Sequence, residues 1–596
     1  MRHQRMAAVL GAFALGATGL TATASATAAP TADAGTSAST TSTTGPETSY
    51  VVLADRGGSA SDLADRLKAK GAKIVSVNDK IGMVTVTSTD TGFAAKTRTM
   101  DGVYGAAEEG IVGRSPQRLS QGKLDKNKRI ERPPTPAASQ AKAASVGKGL
   151  GKGKGKGKGP KGDDPLDDKL WGLDMINTAA AHQVESGDKR VKVGVIDTGV
   201  DAGHPDIAPN FDRKLSRNFT YDIPAIDGPC EVESCVDPAD VDNGGHGTHV
   251  AGTIAASKNG IGVSGVAPDV SIVNVRAGQD SGYFFVGPTV NALTYSADAG
   301  LDVVNMSFYV DPWAYYCQGG APEDSPEEAA EQDMTIESMS RALRYAHSKD
   351  VTLVGALGNA STDLSNPGTD SSSPNFPEGN EHERTIDNAR CRDLPVEGPE
   401  VIGVSSVGPT ERKSYFSNYT KDLQSDEIEV SAPGGDSREY HGTPDYRSPA
   451  NLILSSVPEN VVKSEGSVDE DGNVVPEAEG SVFKDCGKVK GKQVCGYYEY
   501  YQGTSMASPH AAGVSALIVS RYGTKQGRSG FGLDADTTRS VLLRSARDKA
   551  CPEPRTQTYP GLPSDYDAEC VGSERFNGFY GEGIIDAQAA VAKKKP

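Results

Sequence analysis

Between residues 191 and 407 the chain sets short, continuous apolar runs among polar, turn-rich stretches. The runs are 191–197 (VKVGVID), 270–277, 301–308, 351–359 and 401–407. Unbroken β-branched runs of this length fit strands buried on both faces of a parallel sheet. Helix-patterned stretches such as 334–350 lie between them. The alternation predicts an α/β fold, a parallel sheet flanked by helices, whose sites collect at the carboxyl ends of strands. Asp197 and Asn359 both fall at such ends. His246 opens the helical pattern HGTHVAGTIAAS, and Ser505 stands at the head of one continuing through ALIVSRY. The acidic stretch 321–333 and the Gly/Glu/Asp-rich stretch 459–485 have few residues to bury and read as surface insertions.

A separate pattern precedes this one. Residues 50–115 read as a strand (SYVVLAD), a helix (SASDLADRLKAKGAKI), an alternating strand (GMVTVTS), then a second helix ending in a strand. That is the outline of a small α+β domain. Further upstream, a basic start at 1–5, an apolar run at 6–20 and small residues around Ala24, Ala26 and Ala28 make a secretory signal peptide. The apolar run is too short and too weakly apolar to span a bilayer. The predicted organisation is a signal peptide (1–29), a leader with a small folded domain (30–117, folded part about 50–117), a basic Gly/Lys-rich linker (118–164) and a larger α/β domain (165–596).

Composition refines the picture in two places. The 596 residues carry a formal charge of −18, yet residues 118–162 alone hold thirteen basic and two acidic residues. Without that segment the rest stands at −29, an acidic surface that suits solubility and argues against binding nucleic acid or anionic lipid. The linker itself, with KGKGKGKGPKG and no interleaved aromatics, reads as a solvated spacer. All eight cysteines lie at or beyond Cys230, an even number in an exported chain, which implies disulfides. Close spacing favours Cys230–Cys235, Cys486–Cys495 and Cys551–Cys570, leaving Cys317 with Cys391, although spacing alone does not exclude other pairings.

Three stretches carry chemistry: GVIDTGVDAGHPD around Asp197, GHGTHVAGT around His246 and GTSMASPHAAG around Ser505. An acid, an imidazole and a hydroxyl are the parts of a relay in which the imidazole takes the serine proton and the carboxylate holds the imidazole. A single DTG argues against an aspartic protease, which pairs two, and the HxxH spacing lacks the glutamate of zinc helices. Together the stretches resemble the subtilase family of serine proteases. The resemblance implies a secreted, monomeric endopeptidase acting on proteins or peptides, with Ser505 as nucleophile, His246 as base, Asp197 as its orienting acid and Asn359 as oxyanion donor. It implies that residues 30–117, folded over about 50–117, are an inhibitor-type propeptide, the enzyme's own inhibitor, and that residues 165–596 are the catalytic domain. It also implies a calcium ion held by Asp167, Asp206 and Asn259 side chains with carbonyls at Ser257, Ile261 and Val263, since an oxygen-only set suits that cation. Two rivals stay open: a Ser-Glu-Asp peptidase, disfavoured by the HGTH histidine, and a silent binding protein on the same scaffold. The chain departs from the family at Ser307-Phe308-Tyr309-Val310 and at Leu357, which puts bulk near the expected specificity pocket.

Overall fold

The computed structural model describes residues 44–109, 130–132, 164–224, 226–375, 382–425, 427–524 and 530–592. The signal-peptide reading and most of the basic linker lie outside the described residues. The N-terminal domain is a four-stranded antiparallel sheet. Its strand Thr44–Ala54 pairs with both Met83–Asp90 and Val103–Glu109, and Lys73–Asn78 forms the far edge. Helices Ala60–Ala69 and Phe93–Arg98 cover one face, burying Val52, Leu63, Leu67, Val84 and Phe93. The first helix is shorter than its pattern predicts. It stops at Ala69 because the chain turns through Gly71 at φ 91°, and Lys73 and Ile74 join the sheet.

The opposite face of this domain shares a core with the larger one: Val51, Leu53, Met83 and Ala107 pack with Met334 and Met339. Polar contacts fix the docking. Arg56 pairs with Glu337 at 2.6 Å, and Arg341 Nη1 donates to the Ala54 and Ile81 carbonyls at 2.9 Å each. Glu109 Oε1 accepts the Gly287 N–H at 2.8 Å in the first turn of the helix Val286–Asp298, where free amides and the helix dipole favour a carboxylate.

The larger domain is built on a seven-stranded parallel sheet. In spatial order its strands are Val430–Pro433, Val401–Val407, Thr352–Ala356, Val303–Met306, Lys192–Ile196, Ser271–Arg276 and Arg217–Asn218. Alternate residues of one strand enter two different cores. Val193, Val303, Val354 and Ile402 meet the helices His246–Ala255 and Thr504–Tyr522. Ile196, Val304, Leu353 and Val401 meet Val286–Asp298 and Pro326–His347. Burial on both faces explains the unbroken apolar runs.

Both supposed insertions are structured. The acidic stretch enters the helix Pro326–His347, whose Ser325 Oγ accepts the Glu328 N–H while the Glu328 carboxylate accepts the Ser325 N–H. Residues 459–485 supply the helix Glu459–Ser464 and the start of the strand Val482–Val489, and bury Val461, Val462 and Val468. That strand pairs with Lys492–Tyr501, which pairs in turn with Ile453–Val457. The four disulfides are Cys230–Cys235, Cys317–Cys391, Cys486–Cys495 and Cys551–Cys570. Among the described residues no helix is long and apolar enough to cross a membrane.

Candidate active site

Asp197 comes directly after the strand Lys192–Ile196 and is fully buried. Its Oδ1 accepts the Thr198 backbone N–H at 2.8 Å. The helix His246–Ala255 starts against it, and a Cβ on Gly247 would lie 2.1 Å from the Gly199 carbonyl oxygen and 2.9 Å from Asp197 Cβ. Only glycine permits that approach. The result is that His246 Nδ1 donates to Asp197 Oδ1 at 2.8 Å, which leaves Nε2 as the nitrogen free to exchange a proton. Burial pushes the Asp197 carboxyl up, against the pull of the adjacent imidazole. Burial pulls the His246 imidazole down, but the Asp197 and Glu131 carboxylates outweigh it and hold the ring well above its ordinary value. His249, one turn further on, is a core residue. Burial pushes it down to about 3, and its Nε2 donates to the Ile453 and Glu499 carbonyls at 3.1 Å each.

Ser505 is the second residue of the helix Thr504–Tyr522, and its Oγ donates to the Ser307 carbonyl at 3.3 Å. Asn359 lies three residues past the strand Thr352–Ala356. Its Oδ1 accepts both the Thr504 N–H and the Thr504 hydroxyl at 2.9 Å, which orients the amide and leaves Nδ2 beside Gly503. Pro509 sits deeper in the helix than its sequence position suggests, as the sixth helical residue. It cannot donate to the Ser505 carbonyl one turn back. Ser307 Oγ donates to that carbonyl instead, at 3.0 Å, so the proline's missing bond is replaced by one that ties the Ser505 backbone to the neighbouring strand.

An acid–imidazole pair, a serine at a helix start and an oriented amide thus meet in one place. The sequence profile described as the Subtilase family matches residues 188–583, about two thirds of the chain. The chain belongs to the subtilase family. Fervidolysin of Fervidobacterium pennivorans is 29% identical over 367 residues, covering 60% of this chain and 38% of fervidolysin. The major intracellular serine protease of Bacillus subtilis is 30% identical over 333 residues, covering 56% and 69%. The matched region thus spans well under half of fervidolysin's own length. The crystal structure of the epidermin leader peptide processing serine protease of Staphylococcus aureus shares the fold. It has a TM-score of 0.56 at 18% identity, covering 92% of this chain and 99% of that one.

The linker puts three residues into this subtilase's cleft. Gln502 N donates to the Glu131 carbonyl at 2.9 Å, and Gln502 Nε2 to the Ile130 carbonyl at 2.6 Å. Ile130 packs on the cluster of Tyr415, Phe416 and Tyr559. The Glu131 carboxylate reaches the space beside His246 and Ser505: its Oε1 lies 3.5 Å from His246 Nε2, and Ser505 is among the groups that favour its charged form. Burial pushes the Glu131 carboxyl up, but His246, Ser505 and Arg132 outweigh it and hold the group below the usual carboxylate range. Sequence reading missed this residue. Its one signal is that Glu131 is among only two acidic residues in the basic segment.

The expected calcium loop is present in altered company. Asp206 is fully buried, with Oδ2 accepting the Val263 N–H at 3.2 Å and Oδ1 accepting Asn259 Nδ2 at 3.1 Å. Ser257 N donates to the Asp206 carbonyl at 2.9 Å, and Asn259 Oδ1 accepts the Ile261 N–H at 2.9 Å. The Asp167 carboxylate is engaged elsewhere, taken by the Ser264 N–H and hydroxyl at 2.8 Å each. Asp164 and Asp485, which sequence reading did not single out, accept the Gly260 and Gly262 N–H groups at 2.6 and 2.8 Å. Burial first, with Asp164 adding to it, pushes Asp206 up to about 8. Several carboxylates converging on one loop, one of them wholly desolvated, are a donor set that fits a hard cation. A second acidic cluster, Asp222, Glu231, Asp237 and Asp280, brings its oxygens within 4.8 Å of one another and can bind a metal. The buried Arg276 also reaches three of the four, Asp237 at 2.7 Å, Asp280 at 2.9 Å and Asp222 at 3.5 Å.

The two departures from the family pattern have different consequences. Phe308 stacks on Phe284 with ring centroids 4.0 Å apart, beside Ser307. Leu357 is fully buried in a separate core with Leu364, Val396 and Ile428.

Proposed function

We propose that this subtilase is an exported serine endopeptidase that hydrolyses peptide bonds through an acyl-enzyme. Ser505 Oγ attacks the scissile carbonyl while His246 Nε2 takes its proton. Asp197 stabilises the imidazolium, which then protonates the leaving amine. The Asn359 amide and the Ser505 backbone N–H receive the oxyanion. The observation that carries this reading is the 2.8 Å bond from His246 Nδ1 to Asp197 beside a serine at a helix start. A fluorophosphonate serine reagent tests it: once the linker has been cut away, Ser505 is the residue labelled, and folded, processed protein that stays unlabelled there overturns the reading.

The same proposal makes the N-terminal domain and its linker the enzyme's own inhibitor. The Glu131 carboxylate beside Nε2 favours the charged form of His246, and a protonated imidazole cannot accept the serine proton. A synthetic peptide of residues 124–138 is expected to inhibit peptide cleavage competitively, and its Glu131→Gln form to inhibit roughly tenfold or more less well, since a hydrogen bond to a charged group contributes ~1.5–3 kcal/mol. The pH dependence comes from the two shifts. His246 is raised by its partners, so its contribution is present below its free value and is lost as pH rises through the bound one. Glu131 is lowered, so its contribution is lost as pH falls through its own bound value. Inhibition is therefore expected to peak between these limits. Inhibition equal for the two peptides, or flat with pH, removes Glu131 from this role.

Calcium at the Asp206 loop completes the proposal. The side chains that would hold it are Asp206 and Asn259, with Asp164 and Asp485 adjacent, and its chemistry there is charge neutralisation. Chelation is expected to lower the melting temperature, because an ion at a hundredfold excess over its dissociation constant contributes ~2.7 kcal/mol to the native state. Asp206→Ala is expected to remove most of that response. Superimposable melting curves with calcium and with chelator would falsify it.

A further inference from the structure

We infer that Tyr501, Glu465 and Glu499 form a substrate subsite for an arginine side chain, occupied in this structure by Arg132 of the protein's own linker. The inference rests on the protease reading above and names a substrate class for it. Gln502 binds the main chain of the segment at the carbonyls of Ile130 and Glu131, contacts that any sequence can make. The contacts at residue 132 are instead specific to its side chain. The Arg132 guanidinium lies over the Tyr501 ring, 4.2 Å from its centroid, donates to the Tyr501 hydroxyl and pairs with Glu465. The nearby Glu499 carboxyl interacts with the same cation.

The groups around Arg132 suit a cation. Glu499 Oε2 is buried beside this cation, where burial pushes the carboxyl up to about 7 and Arg132 pulls it back. The Tyr501 ring is held from behind by His249, stacked at 4.3 Å with an interplanar angle of 3°. His249 stays neutral because its Nε2 proton is given to two backbone carbonyls and its Nδ1 is buried without a donor. A neutral imidazole under the ring adds no positive charge to oppose the ligand. Glu465 comes from the end of the helix Glu459–Ser464, so the stretch whose composition reads as a surface insertion supplies one wall of the cleft. A planar, delocalised cation suits a ring face plus carboxylates better than the compact ammonium of lysine.

The residue before Arg132 lies against Ser505 and His246, which places the subsite within a residue or two of the bond to be cut. The test is cleavage of matched quenched fluorescent peptides by the protein purified from expression of the full chain. Arginine, lysine or glutamine is placed in turn at each of the positions flanking the cleavage site. At one position arginine is expected to raise kcat/KM over glutamine roughly tenfold or more, and over lysine by a smaller factor, as a desolvated cation–π contact plus charge-assisted bonding implies. In Glu465→Gln the arginine-to-glutamine ratio is expected to fall toward unity. Glu465 is partly exposed, and a ratio measured within one preparation does not depend on how much of it is folded. Cleavage with no arginine preference at any position overturns the subsite and leaves the protease reading standing, as does a preference that Glu465→Gln does not change. Cleavage of none of the peptides by protein whose linker has been cut away removes both.

Discussion

Replacing Ser505 by Ala is expected to lower kcat by roughly 10^6-fold, and His246→Ala to nearly the same level, because nucleophile and base act as one unit. The residual rate in each comes from binding and the oxyanion donors alone. Asp197→Ala is expected to lose less, since the imidazole still reaches the serine without its orienting carboxylate. The change at Ser505 removes one 3.3 Å bond to the Ser307 carbonyl and leaves the helix contacts of residues 504–522 in place, so the variant folds. Steady-state hydrolysis of a fluorogenic peptide measures the loss, with thermal unfolding as the check on fold. The same variant tests self-processing: the Ser505→Ala precursor is expected to remain uncut between the N-terminal and catalytic domains, while the wild-type chain matures to a start near Pro165. Peptidase turnover persisting in folded Ser505→Ala protein removes Ser505 as nucleophile.

Much of this site is legible in the sequence because its constraints are local. Asp197 sits at the end of an apolar run, and Gly247 must be glycine for the histidine helix to reach it. Such requirements leave short, idiosyncratic motifs. The sheet is legible for a related reason: strands buried on both faces need apolar residues at every position, as the split of Val193 and Ile196 between two cores shows.

The features that sequence does not reveal depend on contacts far apart in the chain. The capping pair Ser325 and Glu328 has the right spacing, but the acidic run around it masks the helix start. Val461, Val462 and Val468 are too sparse to suggest burial until the packing of Val461 against Gly245 is seen. The short strand Val430–Pro433 carries too few residues to form a pattern of its own. Pro509 shows the limit of position rules: a proline inside a helix is tolerated here because Ser307, some two hundred residues earlier, satisfies the carbonyl it strands. Glu131 and Arg132 lie in a Gly/Lys-rich spacer whose composition predicts solvation. Their placement comes from the Gln502 main-chain contacts, the Tyr501 ring and Glu465, none of which is near them in sequence.

Asn359→Ala is expected to lower kcat by roughly 10^2- to 10^3-fold with little change in KM, the loss typical of removing one side-chain oxyanion donor. The side chain has a second job, which a second variant separates from the first. Asn359 Oδ1 also accepts two hydrogen bonds from Thr504, so the alanine change both removes the donor and loosens the first turn of the serine's helix. Asn359→Asp keeps an acceptor for Thr504 and lacks the amide N–H. If Asn359 acts by donating to the oxyanion, the aspartate variant loses at least as much kcat as the alanine variant, because it also sets a negative charge where negative charge develops. If Asn359 acts only by holding Thr504, the aspartate variant recovers most of the activity. Near wild-type kcat in Asn359→Asp would therefore reassign the residue from oxyanion donor to a positioning role, leaving the Ser505 backbone N–H to receive the charge.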